Sequence, residues 1–172
     1  MFDTNVTIRG KHATYLKFLC EKTKLLSEKN SQNGAGVFKR YIDVFLVAPL
    51  FGVMKNIRSD EDKSNDDKVN IFAEQIIKEQ RNLEFVYQIV LLNDNSKKLS
   101  PDEKIDLIFK KNGDIDLFMS YVRGGIEYLY EYFTDGATTQ SDYFEKVISL
   151  IDDTQLDATE NFDEFLKNLT NN

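Results

Sequence analysis

The sequence has few of the residues that build cross-linked, metal-bound or nucleophilic sites. Its 172 residues contain one cysteine, Cys20, and one histidine, His12. A single cysteine excludes an intramolecular disulfide and any CxxC redox or zinc motif. The HExxH and Glu-x-x-His patterns of metal sites are absent as well. A secreted disulfide scaffold is therefore excluded, and we expect neither a metal ion nor another cofactor.

Long apolar runs are also lacking. The longest, residues 44 to 54, has eleven residues and contains Pro49 and Gly52, whereas a membrane-spanning helix needs about 20. The first ten residues do not combine a basic stretch with an apolar run, as a signal peptide does. We expect a cytoplasmic protein with no membrane association.

Charge is unevenly distributed along the chain. The formal net charge is −7, but residues 1–58 hold ten Lys/Arg and four Asp/Glu, so they carry +6 and the remainder carries −13. Three interpretations are open: a basic surface for nucleic acid, an acidic surface for a basic partner, or electrostatic contact between the two ends of the molecule. The last is the most ordinary and is favoured.

The spacing of apolar residues predicts an all-α fold, an irregular bundle of six or seven helices forming one domain over residues 1–172. A short extended arm at Phe2, Val6 and Ile8 precedes it, with no visible strand partner. The predicted helices cover residues 11–29, 37–57 with a kink or restart at Pro49, 67–92, a stretch from Ser100, a stretch after Asp114, and two short segments around 144–151 and 162–169.

Three local features of the sequence predict where two helices begin and where a loop lies. Ser100, Pro101 and Glu103 form a helix-start signature, and Asp114 is suited to cap the next helix. Residues 58–68, RSDEDKSNDDK, contain no apolar side chain. We expect them to form an exposed acidic loop, the best candidate in the chain for a disordered segment.

A set of basic side chains in the N-terminal third is a candidate for phosphate contacts. Its members are Lys17, Lys22, Lys24, Lys39 and Arg40. The opposing interpretation is a solvated helix face, the usual role of lysines. The sequence alone leaves open whether these residues share one side of the molecule.

A glycine pair inside a predicted helix is the second candidate site. Gly124 and Gly125 cost about 1 kcal/mol each relative to alanine, so another backbone or a ligand is expected to approach closely. Tyr121, Arg123 and Tyr128 lie beside them, and Tyr and Arg are residue types that anchor protein interfaces. We predict a protein-interaction site or, as the more ordinary alternative, a partly buried helix edge.

The single histidine limits the catalytic possibilities. A Ser-His-Asp triad would have to use His12, with a hydroxyl that nothing in the sequence identifies. His12 lies among lysines at the start of a helix, so we expect it to be exposed or to cap that helix. No catalytic residue is assigned.

These observations predict a non-catalytic helical interaction or accessory subunit of a cytosolic complex, with a protein partner or self-association. The alternative is an accessory nucleic-acid-binding protein that uses the basic N-terminal third. A less favoured third hypothesis is an acidic inhibitor or nucleic-acid mimic, based on the −8 charge of residues 131–172, where ten acids face two lysines.

Overall fold

The computed structural model describes residues 2–20, 34–94, 96, 99–109 and 114–154. Within them lie seven helices and one two-stranded sheet, so the predicted helical bundle with an extended N-terminal segment is confirmed. The elements in chain order are β1 (Val6–Arg9), α1 (Lys11–Cys20), α2 (Tyr41–Met54), β2 (Lys68–Ile71), α3 (Ala73–Lys78), α4 (Gln80–Asn93), α5 (Pro101–Phe109), α6 (Ile115–Thr134) and α7, which occupies 140–154 of the described residues.

The N-terminal arm has a strand partner after all. β1 pairs antiparallel with β2, Ile8 facing Val69 across the ladder. In β2, buried Val69 and Ile71 alternate with two exposed polar residues, the two-residue period of a half-buried strand. The prediction of a helix from residue 67 is wrong here, because four residues are too few for that period to stand out from a helical one.

The rest of the predicted 67–92 helix is two helices rather than one. Glu79, at φ −102° and ψ 11°, interrupts the helix between α3 and α4. Leu83, Val86 and Val90 on α4 are buried, as the apolar spacing predicted. Phe72, which falls inside the predicted helix, lies before α3 and is 59% exposed.

α2 is the most apolar helix and runs through Pro49 as a single element, so no restart occurs there. It begins later than predicted, at Tyr41, where Asp43 accepts a hydrogen bond from the Arg40 backbone N–H at 3.0 Å. The predicted first helix is present as α1; the part of that prediction beyond Cys20 lies outside the described residues, as does the segment at 162–169.

Both predicted helix starts in the middle of the chain are confirmed. The Ser100 backbone N–H donates to Glu103 at 2.8 Å, and the Glu103 N–H donates back to the Ser100 hydroxyl at 3.3 Å, a reciprocal capping box for α5. The Asp114 carboxylate accepts from the Leu117 N–H at 3.0 Å and so caps α6.

The glycine pair packs against backbone. A Cβ on Gly125 would collide with the Ala48 carbonyl of α2, and one on Gly124 with the Ile57 carbonyl. On α2 itself, Gly52 faces the Tyr121 carbonyl of α6 in the same way. Glycine is therefore required for α2 and α6 to approach backbone to backbone. The close approach expected at the glycine pair is made by another backbone and not by a ligand.

Aromatic rings complete the core beside this crossing. Phe118 of α6 lies edge-on to Phe2, Phe45 and Tyr87, with ring centroids 5.5 to 6.0 Å apart. The N-terminal arm therefore contributes a core side chain as well as a strand.

Two compact units divide the chain, Met1–Tyr132 and Phe133–Asn172. The first contains the sheet and α1 to α5 with most of α6; the second contains α7. A single domain over residues 1–172 stays a prediction.

Candidate functional site

The loop between α2 and β2 is held in place by polar contacts. Most of its residues are exposed, as predicted. The Ser59 backbone N–H donates to the Ser120 carbonyl at 3.0 Å, and the Ser59 carbonyl accepts from Arg123 Nε at 2.8 Å. A segment without apolar residues thus gains a fixed path along α6 by hydrogen bonding rather than by hydrophobic burial.

His12, Ser59 and Glu127 form a polar cluster below this loop. His12 Nε2 lies 2.8 Å from Glu127 Oε1 and 3.2 Å from the Ser59 hydroxyl, and that hydroxyl donates to the same Glu127 oxygen at 2.6 Å. The His12 side chain is 0% exposed. The prediction of an exposed or capping histidine is wrong, because the loop and α6 cover the start of α1.

The contacts define the state of the imidazole. Glu127 is an acceptor, so Nε2 carries the proton and donates to it, which leaves Nδ1 of the neutral ring unprotonated. Nδ1 is buried with no hydrogen-bond partner among the described residues. Burial lowers the pKa of His12 from its usual 6.5, against the opposing effect of Glu127, so the ring is neutral at pH 7.

Glu127 is the centre of the cluster. Lys11 Nζ pairs with its Oε1 at 2.8 Å, in addition to the contacts from His12 and Ser59. Burial acts to raise the pKa of Glu127, but these three donors outweigh it and hold the pKa below its usual value. The hydrogen bond to Glu127 also stabilises the charged ammonium of Lys11 and so raises the pKa of Lys11. The carboxylate is therefore ionised and joins α1, the loop and α6.

This geometry differs from that of a nucleophilic triad. In a triad, one ring nitrogen accepts the hydroxyl proton and the other donates to the carboxylate. Here Ser59 and Glu127 both contact Nε2, and the hydroxyl proton goes to Glu127. No ring nitrogen is placed to remove the Ser59 proton, so the cluster connects elements rather than activating a nucleophile.

Asp62 caps α1 from the same loop. Its Oδ2 accepts from the Lys11 backbone N–H at 2.6 Å, and its Oδ1 accepts from the Ser64 N–H at 2.9 Å. The hydrogen bond from Lys11, followed by those from Ser64, lowers the pKa of Asp62 to about 2. Gly10, at φ +61°, lies directly against this carboxylate, and a Cβ there would collide with it.

A buried carboxylate on the other side of α6 has its own donors. Asp94 is 4% exposed and accepts from the Tyr121 hydroxyl at 2.6 Å and from Ser96 at 2.7 Å. Burial acts to raise the pKa of Asp94, but these bonds outweigh it and the pKa lies below the usual value. Burial, together with the bond to Asp94, raises the pKa of Tyr121 to about 12.

A small open cavity lies beside the loop, with a volume of about 470 Å³. Its lining is mostly polar and mixed in charge, with one apolar residue, and consists of Arg58, Ser59, Asp60, Asp114, Leu117 and Ser120. Asp114 is committed to capping α6, and Arg58 lies over the Tyr121 ring at 5.8 Å. Among the described residues no group of three or more His, Cys, Asp or Glu is arranged to hold a metal ion.

The predicted basic set is largely paired with acids where the structure describes it. Lys17 bonds Asp67, and Arg40 pairs with Asp43 and, at 3.1 Å, with Glu79. Lys39 is exposed. Lys22 and Lys24 lie outside the described residues, so the basic face stays a prediction.

These pairs explain part of the charge asymmetry. Cations of the N-terminal third meet acids of later segments in four places: Arg9 with Glu61 at 3.7 Å, Lys11 with Glu127 at 2.8 Å, Lys17 with Asp67, and Arg40 with Glu79 at 3.1 Å. Ion pairs between the basic N-terminal third and acids of later segments are thus present within the unit Met1–Tyr132, whereas electrostatic contact between the two ends of the molecule stays a prediction.

The predicted interface set divides into buried and partly buried members. Tyr121, Gly124 and Gly125 are buried inside the first unit, whereas Arg123 and Tyr128 are partly buried. Arg123 supports the loop, and Tyr128 stacks on Phe51 with ring centroids 5.6 Å apart. As a protein interface, the set stays a prediction.

Sequence reasoning missed the cluster around Glu127. Its three central members are separated by 47, 68 and 115 residues, and none belongs to a local motif. The one available signal was that His12 is the only histidine in the sequence. The lysines beside it indicated an exposed environment, whereas the side chain is buried.

Fold and site together define a small, mostly helical protein in which the Glu127 cluster and the Asp94–Tyr121 pair join distant segments by hydrogen bonds. No helix in the described parts of the chain is long and apolar enough to cross a membrane. No curated protein and no solved structure matches the chain. A family match spans residues 17–168, and the chain belongs to that family, described as DNA sulphur modification system-associated protein 4.

Proposed function

We propose that this protein is a non-catalytic accessory subunit that binds another protein of a DNA sulphur modification system. The family description supports the association with such a system. The absence of catalysis and the protein partner are our own inference, and so is a cytoplasmic location.

The proposal that the protein is non-catalytic rests on one observation: the His12 imidazole is fully buried and donates a hydrogen bond to Glu127. A general acid or base must reach the proton that it transfers. The ring is enclosed by its own partners, and the reactive groups beside it, Lys11 and Ser59, are bound to the same carboxylate. The chemistry-bearing side chains thus serve to join α1, the loop and α6.

The experiment compares the chain alone with the chain in a reconstituted modification system. We expect the purified chain to incorporate no sulphur into DNA, and its addition to the other proteins to change labelled-sulphur incorporation while it co-elutes with one of them. A Ser59→Ala variant should retain that effect once its folding is verified by circular dichroism. Turnover by the chain alone that Ser59→Ala abolishes without loss of folding would overturn the proposal.

A further inference from the structure

Helix α7 presents an apolar stripe to solvent. Phe144, Ile148 and Ile151 are spaced i, i+4 and i+7, which places them on one side of a helix. They are 66%, 45% and 52% exposed. On the same helix Tyr143 is buried, at 7% exposed.

A continuous stripe of this kind has a different meaning from scattered exposed residues. Single apolar side chains on a surface are ordinary, whereas a contiguous group with a polar border is typical of an interaction site. The border here is acidic, since Glu145 and Asp152 follow Phe144 and Ile151 on the solvent side of the helix.

Charge determines which partner fits. Residues 133–172 contain nine acids and two lysines, a net charge of −7. A second copy of α7 would place like charges opposite one another, which disfavours self-association through this face. A cationic amphipathic helix, in contrast, would match both the stripe and its border.

We propose that α7 binds a basic amphipathic helix of a partner protein, with Phe144, Ile148 and Ile151 as the apolar contacts and Glu145 and Asp152 pairing with lysine or arginine side chains. The inference rests on the proposed accessory function and names the surface that performs it.

The test uses the full chain and a defined probe. The probe is a fluorescein-labelled synthetic helix of 18 residues with leucines on one face and lysines on the other, and the matched peptide has the same composition in scrambled order. Fluorescence anisotropy should show binding of the amphipathic peptide and at least roughly tenfold weaker binding of the scrambled one.

Two variants and one control locate the contact. Phe144→Ser combined with Ile148→Ser should weaken binding by about tenfold or more, as expected for central apolar anchors. Glu145→Lys combined with Asp152→Lys should weaken it most at low salt. Phe85→Ser removes an equally exposed phenylalanine from α4, 64% against 66%, and should leave affinity unchanged.

Three outcomes overturn the proposal. If the α7 variants bind the amphipathic peptide as tightly as the unaltered chain does, α7 is excluded as the binding surface. A dimer that Phe144→Ser converts to monomer would assign the stripe to a second copy. Shielding of the Phe144 ring from a soluble paramagnetic probe in the monomeric chain would show that the chain's own residues cover it.

Failure of this inference is distinguishable from failure of the accessory function. If the chain co-elutes with a protein of the modification system and the α7 variants do so equally well, the accessory function stands and the α7 surface is excluded. If the chain alone catalyses sulphur incorporation, the accessory function itself is excluded.

Discussion

His12 Nε2 lies 2.8 Å from Glu127 Oε1, although 115 residues separate the two in sequence. The same carboxylate accepts from Lys11 and Ser59. One side chain therefore joins the first helix, the loop before β2 and the long helix α6. Because His12 is buried, removing Glu127 leaves His12 Nε2 without its nearest acceptor, and an unpaired buried group costs more than the bond itself contributes.

Glu127→Gln should destabilise the protein by about 2 kcal/mol, since a neutral amide oxygen accepts hydrogen bonds from Lys11, His12 and Ser59 more weakly than the carboxylate does. Urea unfolding monitored by circular dichroism measures the change. Glu74→Gln is the control, because the Glu74–Lys78 pair is exposed and its loss should change stability little. Equal effects of the two substitutions would contradict the central role of Glu127.

Stability should fall as pH is lowered from 7.5 to 5.5. The pKa of His12 is lowered in the folded state from 6.5, so the unfolded chain binds the proton more readily. The stabilisation that comes from a neutral, buried His12 is complete at pH values above the pKa of histidine in the unfolded chain. It declines as the pH falls toward the lower pKa of His12 in the folded protein. Asp62, with a pKa of about 2, and Glu127, with a lowered pKa, affect stability at lower pH. The unfolding free energy of His12→Gln should therefore vary less over this range; identical pH profiles would refute the assignment.

Gly125→Ala should destabilise the protein by about 3 kcal/mol, although alanine is the better helix former, because the new methyl group collides with the Ala48 carbonyl. Thermal unfolding is a sufficient measurement. Gly136→Ala provides the contrast: nothing lies within 4 Å of its Cβ position, and only its φ of +69° opposes a side chain, at a cost of about 1 kcal/mol. A stabilised Gly125→Ala protein would show that α2 and α6 do not approach as described.

Tyr121→Phe should cost about 2 kcal/mol, because Asp94 stays buried and loses its shortest hydrogen bond. Tyr128→Phe is the matched control, since it keeps the ring that stacks on Phe51. Ultraviolet titration provides a second readout. Burial also raises the pKa of Tyr87 to about 12, so the number of phenols that ionise with a pKa of about 12 should fall from two to one in Tyr121→Phe and stay at two in Tyr128→Phe. Two such phenols in Tyr121→Phe would contradict the assignment to Tyr121.

Lys17→Gln should lower stability by no more than about 1 kcal/mol and leave duplex DNA affinity unchanged, because Lys17 is already paired with Asp67. Fluorescence anisotropy at about 50 and 200 mM salt measures the affinity and its salt dependence. The exposed Lys39 supplies the comparison variant, Lys39→Gln. A marked loss of salt-sensitive DNA binding in Lys17→Gln would favour the nucleic-acid alternative over the accessory function proposed here.

The sequence determined the features whose signals are local. The helix starts at Ser100 and Asp114 depend on contacts three residues apart, and the Gly124–Gly125 pair marks a close backbone approach by its own composition. The spacing of apolar residues likewise indicated a helical fold and most of the buried positions.

Only the tertiary structure decided what depends on distant pairing. β1 and β2 each have four residues, and their strand character rests on a ladder that joins Val6 to Ile71. The Glu127 cluster forms only once α1, the loop and α6 pack together. A buried histidine and an exposed one look alike in sequence, because burial is set by which distant segment covers the side chain and not by its neighbours along the chain.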